Sequence, residues 1–370
     1  MGHEISSLMN DQKKIINYSL SLQDTMLIKG LAICFMLWHH LFYTHQEFGS
    51  FVNQTAQIGK VCVAMFLFVS GYGLSVSFGK LNVNSFNETS KIVKFLLKRY
   101  LKFYVNYCVV FFLFVPIGIF LFQRSLTDAY GLNVNILKRF FFDFLGIQGF
   151  NSYNITWWFN QLIICLYMLF PFLYLLIKRW CIPVLLFFLL LLLRFHQIQI
   201  PVVHDWLFHF SIGIAYALNV DKISNFMGRI NMRSQQLISI ILIGLFILLR
   251  QGIFSHWSGI RIDGFLTLAI VLFVINTFRY VKFANFSFGY LGKQAMNIYM
   301  IHTFIFYYWF SNVIYSLRYP VLIFFALLLI SLFISITIEF IKNKIGVYSL
   351  IKSIEKKYLN DTFQETQPHR

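Results

Sequence analysis

Charged residues are scarce in this sequence, and acidic residues are the scarcest. Only 12% of the 370 residues are charged, and only 14 are Asp or Glu, whereas 58% are hydrophobic. A soluble globular domain normally carries about twice this fraction of charged residues. The composition therefore excludes an ordinary soluble protein and favours one that is embedded in a membrane.

Several short motifs of soluble enzymes and metal proteins are also missing. The five cysteines form no CxxC pair, and the sequence contains neither an HExxH nor a GxSxG motif. The first two absences argue against a compact metal site, and the third argues against a serine hydrolase with a nucleophile elbow. We therefore predict no bound metal, and we interpret the cysteines as small buried apolar residues.

The amino terminus does not have the pattern of a cleaved signal peptide. The first 24 residues are polar and lack a basic start, a short apolar stretch and a small-residue cleavage site. The net charge of +17 lies mainly in loops between apolar runs, without an arginine-rich tail or a zinc-knuckle spacing. We therefore expect the first membrane helix to be retained and no nucleic acid to be bound.

Long apolar runs recur along the whole sequence, and each can cross a hydrocarbon core of about 30 Å as a helix. The prediction is an all-α, polytopic membrane protein with about ten transmembrane helices. The proposed spans are 27–45, 58–79, 103–122, 157–177, 181–195, 201–219, 236–254, 261–279, 293–313 and 320–341.

The distribution of Lys and Arg predicts the orientation. If both termini are cytoplasmic, 23 of the 31 Lys and Arg residues lie on the cytoplasmic side and 8 outside, as the positive-inside rule requires. We therefore predict a multi-pass protein of the cell membrane with both termini in the cytoplasm. The predicted parts are a cytoplasmic segment 1–24, a transmembrane domain 25–341 and a cytoplasmic tail 342–370.

The first span contains a lysine and two histidines in the stretch LIKGLAICFMLWHHLF, residues 27–42. Lys29 and His40 are eleven residues apart, which brings them to within about 20° of one helical face and about 16 Å apart along the axis. His39 lies about 80° away from that face. Ionisable groups within a membrane are costly and often functional. Alternatively, Lys29 snorkels to the headgroups and the histidines form hydrogen bonds inside the bundle.

Three further stretches carry polar residues at the ends of apolar runs. Ser70 and Tyr72 flank a glycine at the end of a phenylalanine-rich run, and Arg99 and Lys102 are one helical turn apart in KRYLK. Tyr299 and His302 lie in the ninth span, within NIYMIH.

Together these motifs resemble the membrane-bound acyltransferase-3 family, over most of the chain from Asp24 to about Ile341. The family has a basic residue, ten intervening residues and a histidine in its first span, which Lys29 and His40 match. Its SGF or SGY helix is matched by residues 70–72, its RxxR pair approximately by Arg99 and Lys102, and its aromatic pair before a span by Trp157 and Trp158. Its IYLIH-like helix is similar to residues 298–302.

This chain departs from the family pattern in two ways. Lysine replaces arginine at positions 29 and 102, which keeps the charge but loses the planar fork that binds phosphate with two bonds. The proline often found just downstream of the basic pair is absent.

The resemblance implies transfer of an acyl group, by default acetyl, from cytoplasmic acetyl-CoA to a hydroxyl on an extracytoplasmic acceptor such as a cell-envelope polysaccharide. Transfer from a thioester to a hydroxyl needs a base, and imidazole titrates close to physiological pH. We therefore predict His40 as the general base. Lys29, Arg99 and Lys102 are predicted to bind the phosphates of coenzyme A, with Lys91 and Lys98 as less specific cations.

Other residues have a functional and a structural interpretation. His39, Ser70, Tyr72, Tyr299 and His302 are candidates for the reaction cavity, or they are buried residues that only hydrogen-bond and pack. Trp157 and Trp158 are candidates for stacking on an acceptor sugar, although interfacial tryptophans are common in membrane proteins. Further candidates for orienting an acceptor are His204, Asp205 and His209.

Two other functions fit the same composition. A transporter or flippase for a lipid-linked saccharide also needs polar groups inside a membrane bundle, although we find no repeated halves of the kind many transporters have. A membrane scaffold for envelope assembly is a third possibility. The sequence does not identify the acceptor, the acyl chain or the oligomeric state.

Overall fold

The computed structural model of the chain describes residues 17–83, 85–132, 134–195, 203–252 and 259–359. The first 16 residues of the predicted amino-terminal segment and residues 360–370 of the predicted tail lie outside these ranges. The prediction of an all-α fold is confirmed: the protein is 85% helical. No strand occurs in the described ranges.

The chain forms a bundle of helices of very different lengths. In chain order they are α1 (Leu22–Phe42), α2 (Ser50–Ile58), α3 (Val61–Gly79), α4 (Thr89–Phe120), α5 (Leu126–Tyr130), α6 (Ile136–Phe144), α7 (Trp158–Phe195), α8 (Val203–Leu218), α9 (Val220–Met227), α10 (Met232–Gln251), α11 (Ile260–Asn276), α12 (Lys282–Thr303), α13 (Ser311–Tyr315), α14 (Pro320–Lys344) and α15 (Val347–Ile354).

Seven helical stretches in the described part of the chain are long and apolar enough to cross a membrane. They correspond to α1, α2 with α3, α4, α7, α10, α11 and α14. The predicted number of ten is therefore approximate. The predicted spans 157–177 and 181–195 fall in the single long helix α7, which is interrupted by the non-helical backbone of Trp180. The predicted spans 201–219 and 293–313 overlap α8 and α12, which do not meet this criterion.

The inner helices approach each other closely at glycines. A Cβ atom on Gly30 of α1 would lie only 2.0 Å from the carbonyl oxygen of Phe288, and one on Gly292 of α12 only 1.9 Å from that of Met26. Gly71 and Gly213 meet the backbones of α8 and α3 in the same way. Small residues of this kind allow helix backbones to pack at short range inside a membrane bundle. The pairs α1–α12 and α3–α8 therefore form the centre of the fold.

The two ends of the bundle are named here after α1, as the lysine end, where α1 begins, and the histidine end, where α1 finishes. At the lysine end, Ser21 and Asp24 form a capping box at the start of α1. Arg279, just after α11, forms an ion pair with Asp24 at 2.8 Å. The hydroxyl of Tyr18 donates to Asn276, the last residue of α11, at 2.8 Å. These contacts fix the start of α1 relative to the neighbouring helices.

At the histidine end, residues 121–132 and 134–157 fold over the bundle as a cap that is anchored by one carboxylate. Asp143 is fully buried and accepts hydrogen bonds from the hydroxyl of Tyr130 at 2.8 Å and from the backbone N–H of Tyr153. The hydroxyl of Tyr107, in α4, donates to its backbone carbonyl at 2.6 Å. Burial raises the pKa of Asp143 to about 6, although these hydrogen bonds act in the opposite direction.

Candidate active site

The last turn of α1 brings the two adjacent histidines into the bundle. The ring of His40 lies 5.1 Å from the ring of His302 on α12 and 5.1 Å from that of His39, centroid to centroid. Among the described residues, no hydrogen bond joins either ring nitrogen of His40 to a partner. His40 is only partly buried. Its ring nitrogens are therefore available to a bound molecule.

The tautomer of His302 is set by its surroundings. This residue is fully buried, and its Nδ1 lies 2.8 Å from the carbonyl oxygen of Tyr299 and 3.1 Å from that of Ile298. Because a carbonyl oxygen only accepts hydrogen bonds, Nδ1 carries the proton. Nε2 is then an acceptor, and it lies 3.4 Å from the hydroxyl of Thr303. His302 thus presents a hydrogen-bond acceptor in the immediate surroundings of His40.

A buried polar network continues from Thr303 to the start of α7. The hydroxyl of Thr303 lies 3.0 Å from that of Thr156, which donates to the side chain of Asn154. The hydroxyl of Tyr299 donates to the carbonyl of Thr156 at 2.8 Å, and its oxygen lies 3.2 Å from Oδ1 of Asn160. Asn160 is fully buried, and its Nδ2 has no partner among the described residues.

His39 has a different environment from His40. Its Nδ1 donates to the carbonyl of Ala56 on α2 at 2.8 Å, and its ring stacks on Tyr43 at 4.8 Å. The hydrogen bond assigns the proton to Nδ1, for the same reason as in His302. His39 therefore connects α1 to the short helix α2, while its neighbour His40 faces α12.

Cations and hydroxyl groups meet at a second position along α1. Lys29 and Arg99 of α4 are close enough to act on each other electrostatically, and Arg99 acts in the same way on Tyr167 of α7. The hydroxyl of Ser70 lies close enough to that of Tyr167 to interact with it. In the described ranges, no carboxylate forms an ion pair with Lys29 or Arg99. Two close cations without a counterion form a favourable site for an anion.

Arg99 and Lys102, which form the predicted basic pair, have different partners in the structure. Arg99 faces Lys29, whereas Lys102 is half exposed and lies 3.2 Å from Glu355, just after α15. Lys98 reaches the same carboxylate at 3.6 Å, and Lys91 pairs with Glu88 at 2.6 Å. The predicted role of Lys102 in phosphate binding therefore requires that its ion pair with Glu355 open.

Three of the aromatic candidates have clear structural contacts. Tyr72 is buried, and its hydroxyl accepts a hydrogen bond from the backbone N–H of Leu20 at 2.8 Å, near the start of α1. Trp157 is buried, and its Nε1–H donates to the carbonyl of Met300 at 3.0 Å. Trp158 is only partly buried and stacks on Phe150 at 5.2 Å. Of the two tryptophans, Trp158 is the one whose ring is accessible.

A buried ion pair at the histidine end was not predicted from the sequence. Arg250 at the end of α10 and Asp263 in α11 form a buried ion pair at 2.6 Å. His209 reaches the carbonyl of Ile260 at 2.8 Å, and His204 lies 3.1 Å from Asp205. The signal was present in the sequence, because Arg250, Arg261 and Asp263 are the charged residues at the facing ends of two predicted spans.

These groups do not form a metal site of the usual kind. Within the ranges described above, no set of three or more His, Cys, Asp or Glu side chains is close enough to bind a metal ion. The two histidines nearest to His40 each donate a ring N–H to a backbone carbonyl.

Comparison with known proteins supports the motif-based resemblance. The family model Acyl_transf_3, described as an acyltransferase domain, matches residues 25–340. No curated protein and no solved structure matches the chain. The matched range runs from the first turn of α1 almost to the end of α14. It includes the histidine cluster, which is His39, His40 and His302, and the cation cluster, which is Lys29 and Arg99.

Proposed function

The chain belongs to the acyltransferase-3 family and is a multi-pass membrane acyltransferase, and from this premise we propose the direction and chemistry of transfer. An acyl group, most simply acetyl, moves from acyl-CoA at the lysine end to a hydroxyl at the histidine end. The lysine end is cytoplasmic, because the positive-inside rule assigns the Lys-rich and Arg-rich loops to that side. The acceptor is a hydroxyl on a cell-envelope polysaccharide. Family membership favours this function over a lipid-linked saccharide transporter.

His40 is the residue that supports this proposal most directly, because its ring nitrogens have no partner in the described part of the chain. One of them takes the proton of the acceptor hydroxyl while the hydroxyl oxygen attacks the thioester carbonyl. The C–S bond then breaks, the ester is formed, and the proton passes from His40 to the departing coenzyme A thiolate. No net proton is gained or lost by the protein.

His302 is proposed to position His40. Its Nε2 is an acceptor, since Nδ1–H is bound to the carbonyl of Tyr299. When His40 becomes protonated, one of its ring N–H groups can donate to Nε2 of His302. This hydrogen bond stabilises the charged form of His40 relative to the neutral form.

Lys29 and Arg99 are proposed to bind the coenzyme A phosphates. Their mutual repulsion is relieved when an anion lies between them, and the described residues offer no carboxylate for this purpose. Ser70 and Tyr167 add hydroxyl groups beside Arg99. Lys98 and Lys102 are partly exposed on α4 and are paired with Glu355, so they serve as weaker contacts.

The test is transfer from labelled acetyl-CoA in membranes that contain either the wild-type protein or the variant His40→Ala. Loss of a general base lowers the rate of transfer by about 10²- to 10⁴-fold. The control variant is His45→Ala, which removes a partly exposed histidine at the same end of the bundle. Full activity of His40→Ala at normal protein abundance would refute the proposed base.

A further inference from the structure

The histidine end contains a polar cavity that is separate from the histidine cluster. Its volume is about 630 Å³, within the range of small-molecule sites in proteins. It lies between α2 and the end of α10, and the described residues that line it are all polar apart from one glycine. We propose that this cavity binds the acceptor and that the acceptor is a neutral, hydroxyl-rich sugar chain. This inference rests on the proposed acyl transfer.

The polar wall of the cavity is one face of α2. Ser50, Asn53, Gln54 and Gln57 follow the spacing i, i+3, i+4 and i+7, which places them on one side of a helix. The opposite side carries Ala56, which is fully buried and bonded to His39 through its carbonyl. The short helix therefore turns its amides towards the cavity while its other side holds α1.

The chemistry of the lining favours hydroxyl groups over charged ligands. Five side-chain amides line the cavity. They are Gln46, Asn53, Gln54, Gln57 and Gln251. A side-chain amide carries both donors and an acceptor, as a sugar hydroxyl requires, although Asn53 uses both of its N–H groups on backbone carbonyls and offers only its oxygen. The cation at the wall, Arg250, is already bound to the carboxylate of Asp263 through Nε at 2.6 Å and Nη2 at 3.4 Å. The described lining therefore carries no unpaired charge that would select a phosphate or a carboxylate.

Part of the lining is held in place before any ligand binds. Nδ2 of Asn53 donates to the carbonyl of Tyr43 at 2.8 Å and to that of Phe42 at 3.2 Å. Nε2 of Gln57 donates to Oδ1 of Asn53 at 2.9 Å, and Nε2 of Gln251 donates to the carbonyl of Gln54 at 3.3 Å. Amides ordered in this way lose less side-chain freedom when they bind a ligand.

The cavity is also next to the proposed base. Asn53 donates to the carbonyls of Phe42, the last residue of α1, and of Tyr43, which follow His40 by two and three positions in the chain. His39 is bonded to α2 and lies close enough to Arg250 to interact with it electrostatically. A sugar chain in the cavity would therefore lie at the same end of the bundle as the histidine pair, and a sugar unit that extends past α2 would present one hydroxyl to His40.

Site-specific cross-linking tests binding independently of acyl transfer. The full chain is expressed in its native cells with the photoreactive residue benzoylphenylalanine at position 54 or, as a control, at position 51. Gln54 lines the cavity, whereas Phe51 is on the same helix, is 76% exposed and is not among the lining residues. After illumination, the purified protein is stained for carbohydrate by periodate oxidation. Carbohydrate attached at position 54 and not at 51 supports the proposal, and equal or absent labelling at both positions overturns it.

A second experiment measures the acceptor role in transfer. The double variant Gln54→Leu, Gln57→Leu is expected to lower the amount of ester-bound acetyl on envelope carbohydrate by about tenfold, because two hydrogen bonds to the acceptor are lost. Saturable binding of labelled acetyl-CoA should keep the wild-type half-saturation. The control is Asn312→Leu, which removes an exposed amide of α13 outside the cavity lining.

The outcomes separate the two proposals. Unchanged esterification in the double variant, or a loss of acetyl-CoA binding together with transfer, overturns the acceptor cavity. A wild-type protein that forms no ester overturns the proposed transfer reaction. In that case labelling at position 54 still decides whether sugar chains bind the cavity.

Discussion

The inner and outer helices of this bundle differ in a way that hydropathy alone would misjudge. In the outer helix α10, only 11% of the most apolar window is buried inside the protein, against 72% in the inner helix α11. The helix α12, which carries Tyr299 and His302, does not reach the criterion for a membrane span. The two windows have the same mean hydropathy, 1.8, so apolarity alone does not separate an outer helix from an inner one. It also misses α12, which carries part of the candidate chemistry.

The physical reason is the difference between lipid and protein as surroundings. A helix that faces lipid must be apolar, because polar groups find no partners there. A helix enclosed by others can carry histidine, asparagine and threonine if each finds a hydrogen bond. The network of Thr156, Thr303 and Tyr299 meets this condition between α7 and α12.

The largest effect is expected from breaking the buried ion pair that joins the outer helix α10 to the inner helix α11. In Asp263→Asn, the guanidinium of Arg250 remains buried without its counterion, and such a change costs about 3–5 kcal/mol of stability. Lys91→Gln removes one side of an exposed pair and should cost less than about 1 kcal/mol. Thermal unfolding of both variants in detergent measures the difference. Equal melting temperatures would mean that burial does not distinguish the two pairs.

A smaller effect is expected from adding one methyl group at a close helix contact. Gly30→Ala places a Cβ 2.0 Å from a backbone oxygen of α12, so the helices must separate, at a cost of about 1–3 kcal/mol. Gly244→Ala adds the same methyl group on α10, where no atom lies within 4 Å. Gly244→Ala should leave the stability of the protein unchanged or raise it slightly, because alanine has a higher helix propensity than glycine. The comparison is made by thermal unfolding, and it fails if both variants lose the same stability.

The smallest effect concerns the pH dependence of the cap over the histidine end. The pKa of Asp143 is raised from its ordinary 3.8 to about 6 in the folded protein, because the carboxylate is buried. Its contribution to stability is therefore complete below about pH 3.8 and is lost as the pH rises through about 6. The loss amounts to at most about 3 kcal/mol. Hydrogen exchange of peptides from residues 126–153 at pH 5 and pH 7.5, corrected for intrinsic rates, should show faster opening at the higher pH.

Two variants sharpen this measurement. Asp143→Asn keeps a neutral group at all pH values and should abolish the difference between pH 5 and pH 7.5. Asp128→Asn alters an exposed carboxylate whose pKa is lowered by hydrogen bonds from Ser125, so it stays ionised over this range and the difference should persist. A wild-type pH dependence in Asp143→Asn would assign the effect to another group.

The sequence was sufficient for the helical class, because apolar runs of membrane length have few other structures available. It also indicated the family, through the resemblance of several motifs taken together. The spacing placed Lys29 and His40 on one helical face, since residues eleven positions apart on a helix share a face whatever the fold around them. The break at Trp180 falls at the predicted boundary between the spans 157–177 and 181–195, beside Lys178 and Arg179. The sequence did not show that the helix resumes at once after the break, without a loop. The divergence of Arg99 and Lys102 depends on Glu355, which is distant in sequence and was not considered as a partner.

What the sequence determined by itself was therefore local: helix formation, the position of each polar group along its helix, and the shared face of Lys29 and His40. Only the tertiary structure decided that His302 contacts His40, that Arg250 is neutralised by Asp263, and that the amides of α2 face a cavity. The reason is physical. Periodicity fixes the direction of a side chain relative to its own helix axis, whereas its partner depends on how helices pack, and here that depends on glycines at which two backbones meet.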